Sequence, residues 1–179
     1  EETVPLRRER RGRSHGKSGR RAIRSLVLTP TRELALQIGE SFADYGKYTG
    51  LKHATIFGGV KQGPQTDRLR RGVDILIATP GRLLDLANRG SLRLSGVRVL
   101  VLDEADEMLD LGFLPDVERL ISKTPKSRQT LLFSATMPAA VVALARMHLN
   151  QPVNVRAETR DANLTVPDTT QFVYQAHDL

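Results

Sequence analysis

From Ser25 onward, short apolar runs alternate with longer mixed stretches. Leu26-Val27-Leu28, Ala54-Thr55-Ile56-Phe57, Ile75-Leu76-Ile77, Val99-Leu100-Val101-Leu102 and Leu131-Leu132-Phe133 are almost unbroken apolar segments of strand length. That is the pattern of strands covered on both faces, as in a parallel sheet. Between the first two runs, Leu34, Ala35, Ile38, Phe42 and Tyr45 recur on one face at helical spacing, and Val117, Leu120 and Ile121 repeat the pattern over a shorter segment. Strand, helix, strand in alternation predicts a doubly wound α/β domain, a parallel sheet flanked by helices with ligands gathered at the carboxyl ends of its strands. Residues 1–24 are poor in apolar residues and dense in Arg, Gly and Ser, so they read as a basic flexible arm or insertion with no core. The folded core is expected over 25–156 and a polar linker over 157–179, where Gln171 to Gln175 has strand character without a sheet to join.

Composition sharpens this outline. A chain of 179 residues that is 40% hydrophobic and 26% charged suits one globular domain with a real core. Because it contains no cysteine, disulfide-linked partners, Cys-ligated zinc and thiol catalysis are excluded, which suits a reducing cytoplasmic setting. Its longest apolar runs are strand-sized and its Arg-rich start lacks an apolar core, so neither a membrane span nor a secretory signal is read. The net charge of +7 is concentrated in residues 1–24, where nine Lys/Arg face three Glu. The remainder is close to neutral, and the basic balance therefore describes a segment and not the domain surface.

Candidate chemistry sits where the predicted strands end. Thr29-Pro30-Thr31-Arg32 and Thr79-Pro80-Gly81-Arg82 each follow an apolar run and precede an amphipathic segment. In both, Thr can cap a helix, Pro is preorganised for its first position, and the free N–H groups with the nearby Arg offer an anion site. Two such sites on one edge can hold successive phosphates of a strand, although Thr-Pro also starts helices that bind nothing. Gly58-Gly59 lets a ligand approach the backbone closely, or simply turns the chain. Asp103-Glu104-Ala105-Asp106 follows a buried strand directly. In nucleotide hydrolases an Asp there holds Mg2+ and an adjacent Glu orients or deprotonates water. A helix start favoured by the macrodipole is the alternative. Ser134-Ala135-Thr136 presents two hydroxyls that can reach the neighbouring carboxylates, or serve as ordinary caps and turns.

Taken in order, Pro30-Thr31-Arg32-Glu33-Leu34-Ala35, Gly58-Gly59, Thr79-Pro80-Gly81-Arg82, Asp103-Glu104-Ala105-Asp106 and Ser134-Ala135-Thr136 resemble the motif series of the DEAD-box RNA helicases, over about Ser25 to Pro152. Met108-Leu109-Asp110-Leu111-Gly112-Phe113 resembles the family too. The resemblance implies a RecA-like core domain of the P-loop NTPase type, with ATP and Mg2+ as cofactors and RNA as partner. It also implies a second RecA-like domain, needed for the closed state, toward which 157–179 would lead. By the same resemblance Asp103 coordinates Mg2+ through water, Asp103 and Glu104 bind the nucleotide, and Glu104 is the catalytic base. Asp106 links to Ser134 and Thr136 to couple hydrolysis to strand separation. Pro30, Thr31, Arg32, Gly58, Gly59, Thr79, Pro80, Gly81 and Arg82 form the nucleic-acid path along the sugar-phosphate backbone, with little base preference.

Two family elements have no counterpart here: the upstream glutamine motif and the Gly-rich phosphate loop. Gly12-Arg13-Ser14-His15-Gly16-Lys17-Ser18 has three residues between its glycines where the loop needs four, and it follows no apolar strand. The sheet is therefore expected to lack its first strand and phosphate loop, leaving neighbouring strands short of ladder partners and this chain a poor ATPase alone. Two other functions compete with the enzymatic one: a non-hydrolytic module that grips the RNA backbone, and an electrostatic tether working through the Arg-rich arm.

Overall fold

The structure, a computed structural model, describes residues 22–156, so the expected linker and nearly all of the expected arm lie outside it. Five strands form one sheet: β1 (Ser25–Leu28), β2 (His53–Ile56), β3 (Ile75–Ala78), β4 (Val99–Leu102) and β5 (Gln129–Leu132). Their order is β2-β3-β1-β4-β5, and every pairing is parallel. Six helices accompany them: α1 (Arg32–Tyr45), α2 (Gln62–Arg70), α3 (Pro80–Asn88), α4 (Ala105–Asp110), α5 (Leu114–Ser122) and α6 (Ala139–His148). The RecA-like α/β reading holds. The ladder has no gap, because β3, β1 and β4 are each paired on both sides.

Alternation along the strands assigns residues to the two faces. Leu26 and Leu28 of β1 join Leu76, Leu100 and Leu102 in the larger core, which is closed by Leu83 and Leu86 of α3, Met108 of α4, Val117 and Leu120 of α5, and Leu144 of α6. Val27 points the other way, to Ala35 of α1 and to Ile75 and Ile77 of β3. Burying each large aliphatic side chain contributes about 1.5–3 kcal/mol, so the inner strands carry much of the stability.

At the amino-terminal edge, buried Asp74 ties three strands. Its carboxylate accepts from Arg24 Nη2 and from the Lys52 amide, each at 3.0 Å, and its carbonyl accepts from the Arg24 and Ser25 amides. Ile23 belongs to the large core, so the domain begins inside the stretch expected to contribute no core.

Tyr45 was expected on the buried face of its helix but is 88% exposed. It is the last residue of α1, and the apolar stripe ends one turn earlier at Phe42. The stripe's tightest point is Gly39, which is buried against β2: a Cβ there would lie 2.6 Å from Thr55 Cγ2. Glycine costs a helix about 1 kcal/mol relative to alanine, yet here it lets helix and strand approach. Gly39→Ala should therefore lower the melting temperature in the parent, and Thr55→Ser, which removes the obstructing methyl, should reverse the loss. A double-mutant cycle by thermal unfolding is expected to give a coupling of about 1 kcal/mol.

Candidate functional site

All five strands run in one direction, so the loops after them share one edge of the sheet. In spatial order these are 57–60 after β2, 79–82 after β3, 29–32 after β1, 103–106 after β4 and 133–136 after β5. Adjacent strands lie about 4.8 Å apart. The glycine-rich and Thr-Pro loops are therefore contiguous on one half of the edge, and the carboxylate and hydroxyl loops on the other.

The two Thr-Pro loops share a sequence pattern but not a register. Helix α3 starts at Pro80, with Thr79 as N-cap and Pro in the first turn as expected, although the Thr79 hydroxyl makes no capping bond. Helix α1 starts two residues later in its pattern, at Arg32. Thr31 is the cap, its Oγ1 accepting from the Leu34 amide at 3.2 Å. Pro30 thus precedes the cap, contrary to the expected first helical position, and Thr29 is fully buried with an Oγ1 that has no protein partner. The residue at the third position explains the difference. Thr31 supplies an acceptor for an orphan N–H, whereas Gly81 has none, so that cap moves back to Thr79.

Neither arginine of these loops stands free. The Arg32 guanidinium lies over the Phe57 ring, 5.2 Å from its centroid. Both terminal nitrogens of Arg82 donate to the Val60 carbonyl oxygen, at 3.2 and 3.3 Å. Between those anchors the Gly58-Gly59 turn is exposed. Gly59 has φ +75°, whereas Gly58 is not left-handed, and a Cβ on Gly58 would meet nothing within 4 Å. A Cβ on Gly81 would make only ordinary contact, 3.8 Å from Asp116 Oδ2. Internal packing therefore demands glycine at neither position.

On the other half, the Asp103 amide donates to the Leu28 carbonyl at 2.9 Å, continuing the ladder past β4. The Asp103 carboxylate accepts from the Glu104 amide at 3.1 Å through Oδ1. Its second oxygen makes no hydrogen bond among the described residues. No group of three or more potential metal-ligating side chains occurs among them. One carboxylate oxygen beside a second carboxylate nevertheless suits Mg2+, which keeps much of its water and binds through one or two carboxylates plus substrate phosphates.

Glu104 is left-handed, at φ 52° and ψ 56°, where the chain turns from β4 into α4. For a non-glycine residue that conformation costs about 1–2 kcal/mol. It is tolerated because its neighbours are fixed: the Ala105 amide donates to the Phe133 carbonyl at 3.0 Å. The next residue closes the site across the two loops. The Asp106 amide donates to Ser134 Oγ at 3.1 Å, and Asp106 Oδ2 accepts from both the Thr136 amide and the Thr136 hydroxyl at 2.8 Å. The structure therefore brings Asp106, Ser134 and Thr136 together. Ser134, expected to face a carboxylate, accepts the Asp106 N–H. The Thr136 hydroxyl, then its amide, hold the Asp106 carboxyl well below the usual carboxylate range, against a smaller opposing effect of burial, and the Ser134 hydroxyl also adds a smaller lowering effect.

The DEAD/DEAH box helicase family model matches residues 11–144. This chain belongs to the DEAD/DEAH box helicase family. It is 41% identical over 157 residues to the DEAD-box ATP-dependent RNA helicase CshA of Geobacillus kaustophilus, an overlap of 88% of this chain and 33% of that protein. It is 49% identical over 139 residues to the ATP-dependent RNA helicase DeaD of Mycobacterium tuberculosis, covering 77% of this chain and 25% of that protein. The crystal structure of a DEAD box protein from Methanococcus jannaschii shares 43% identity with a TM-score of 0.70, over 73% of this chain and 36% of that one. The chain thus spans about a third or less of the length of these helicases.

Sequence reasoning missed Gln65. This buried residue of α2 bonds the Phe57 backbone twice, and α2 carries no apolar periodicity to reveal it, with Gly63 and Pro64 in its first turn. The 12–18 stretch weighed as a phosphate loop lies outside the described residues.

A depressed carboxyl keeps its link fully above the unfolded value of about 3.9 and loses it as pH falls through the lower folded value. Thr136→Val, which removes the hydroxyl but keeps the amide, should raise the Asp106 carboxyl toward that ordinary value, and carbon-detected NMR titration reads the change directly. Glu104→Gly should stabilise the fold by about 0.5–1 kcal/mol in thermal unfolding, because glycine adopts the left-handed conformation freely.

Proposed function

We propose that this chain forms the nucleotide- and RNA-contacting face of an ATP-dependent RNA helicase that separates strands locally. The observation that carries this reading is the division of one sheet edge into a polar-backbone half, built from 29–32, 57–60 and 79–82, and a carboxylate half, built from 103–106 and 133–136. Pro30, Thr31 and Arg32, Gly58 and Gly59, and Thr79, Pro80, Gly81 and Arg82 make up the RNA path. Glycines that packing does not require leave backbone open to a sugar-phosphate chain, which carries little sequence information. In this reading Asp103 holds Mg2+ through water. The ion, when bound, neutralises charge on the phosphates of ATP. Glu104 orients and deprotonates the attacking water. Asp106 ties its loop to Ser134 and Thr136, so that a change at the nucleotide is transmitted between adjacent strand ends. Completion of the site by a second RecA-like domain, and a cytoplasmic setting, belong to the same proposal.

The non-hydrolytic alternative predicts RNA binding with no role for the carboxylates. Gly58→Ala and Gly81→Ala are each expected to melt no lower than the parent, since neither added methyl meets an obstruction, while weakening single-stranded RNA binding several-fold in fluorescence anisotropy. Unchanged affinity in both would remove these loops from the RNA path. Mg-ATP binding is measured by calorimetry on this chain and on a version extended by upstream coding sequence. Where ATP is hydrolysed, Glu104→Gln should retain binding and reduce turnover at least 100-fold, within the range a general base supplies. Normal turnover in that variant would sink the assignment of the base. Tight ATP binding by the 179-residue chain itself would return Lys17 as a phosphate ligand.

A further inference from the structure

The Gly58-Gly59 turn is gripped at both ends by side chains from two different helices. On the β2 side, Gln65 of α2 is 7% exposed and pairs with both polar groups of Phe57. Its Nε2 donates to the Phe57 carbonyl at 3.0 Å and its Oε1 accepts from the Phe57 amide at 3.2 Å. On the far side, Arg82 of α3 spends both terminal nitrogens on the Val60 carbonyl. The turn between these anchors has no packing of its own, since a Cβ at 58 or 59 would meet nothing within 4 Å. Two consecutive glycines without packing have large conformational freedom, which a ligand would otherwise have to quench on binding.

We propose that Gln65 and Arg82 are positioning residues that preorganise the Gly58-Gly59 backbone for RNA, with Arg82 acting as a strut between two loops and not as a phosphate ligand. The proposal rests on the RNA reading above and changes one assignment within it. Arg82 sits on the RNA path by resemblance, yet its donors are directed at a carbonyl of the neighbouring loop. Gln65 fits the role because a glutamine amide offers a donor and an acceptor together, matching both backbone groups of one residue. Losing either end would leave half-buried backbone groups to find other partners, and the turn free to move.

The two roles of Arg82 differ in salt dependence. A cation that neutralises a phosphate of single-stranded RNA adds about 0.7 to the slope of log affinity against log salt, and a strut adds nothing. Binding of a uridine dodecamer to the full chain is measured between about 50 and 200 mM salt for the parent, Gln65→Ala, Arg82→Met and the double variant. Each single variant is expected to weaken binding about 3- to 10-fold at the parent slope, and the double variant to lose less than the product of the two.

Amide hydrogen exchange on the RNA-free protein gives a second readout. The Phe57 amide, bonded to Gln65 and untouched by Arg82, should exchange faster in Arg82→Met. Should Gln65→Ala fail to fold, Gln65→Glu replaces it, keeping the acceptor and losing the donor. A slope shallower by about 0.7 in Arg82→Met alone would make Arg82 a phosphate ligand and overturn the strut. Parent-like affinity in the Gln65 variant, or unchanged Phe57 exchange in Arg82→Met, would overturn the clamp. Parent-like affinity in both Gly58→Ala and Gly81→Ala marks failure of the RNA reading instead, and the exchange measurement still decides whether the clamp exists.

Discussion

Parallel pairing on both sides of β1 is the constraint from which the rest follows. Leu26 is in register with Leu76 on one side and Leu100 on the other, and Leu28 with Ala78 and Leu102. With all of these side chains nearly or fully buried, a one-residue slip would turn leucines out of the larger core. The register that protects the core also fixes the heights at which the strands end. Thr29 donates to the Ala78 carbonyl, Thr79 to that of Ile56, Asp103 to that of Leu28, and Phe133 to that of Leu102. The first residue of four of the following loops is thus held by the strand beside it, while Phe57, after edge strand β2, is held by Gln65 of α2, and the five polar loops inherit the order of the sheet.

That inheritance explains why short side chains suffice at the carboxylate half. Asp106 and Thr136 lie 30 residues apart in sequence but emerge from adjacent strands, so a carboxylate and a hydroxyl meet at 2.8 Å without a long arm. Charge-assisted hydrogen bonds of this kind are stronger than neutral ones, and an amide and a hydroxyl from one residue converge here on one oxygen. Glu104 sits beside this tie in a conformation that a glutamate does not choose for itself. Strain of this kind persists where surrounding bonds over-determine it, and here they do so on either side, at Asp103 and Ala105. The rigid tie and the strained turn are therefore one local arrangement.

Most of the sheet was legible because buried strands announce themselves as apolar runs, and all five predicted runs overlap the observed strands. Their edges were less legible. β5 starts at Gln129, and Phe133, read as strand, is 53% exposed beyond its end. An edge strand needs only one apolar face, so its polar residues hide it. α2 was invisible for the related reason that it packs through one leucine and one glutamine, leaving no stripe to count. α6 is apolar enough, but its small and branched residues show no sharp period beside the well-marked runs. At the site, residue types and loop positions were legible. The direction of each side chain was not, because nothing in a sequence says whether Arg82 faces solvent or a carbonyl 22 residues away.

The repeated Thr-Pro pattern shows how one local code yields two surfaces. Both copies end a buried strand and begin a helix, yet Thr31 holds the first cap two residues beyond its counterpart. This shift draws Thr29 fully into the interior with its hydroxyl unpartnered and leaves Arg32 in the first turn, stacked on Phe57. In the second copy the helix begins at Pro80, so Arg82 lies two residues deeper relative to its own helix start and reaches Val60. Both arginines thereby converge on the 57–60 loop, one on a ring and the other on a carbonyl. That loop contains the most conformationally free residues on the edge, Gly58 and Gly59. Two neighbouring loops thus supply it with the order that its own sequence lacks.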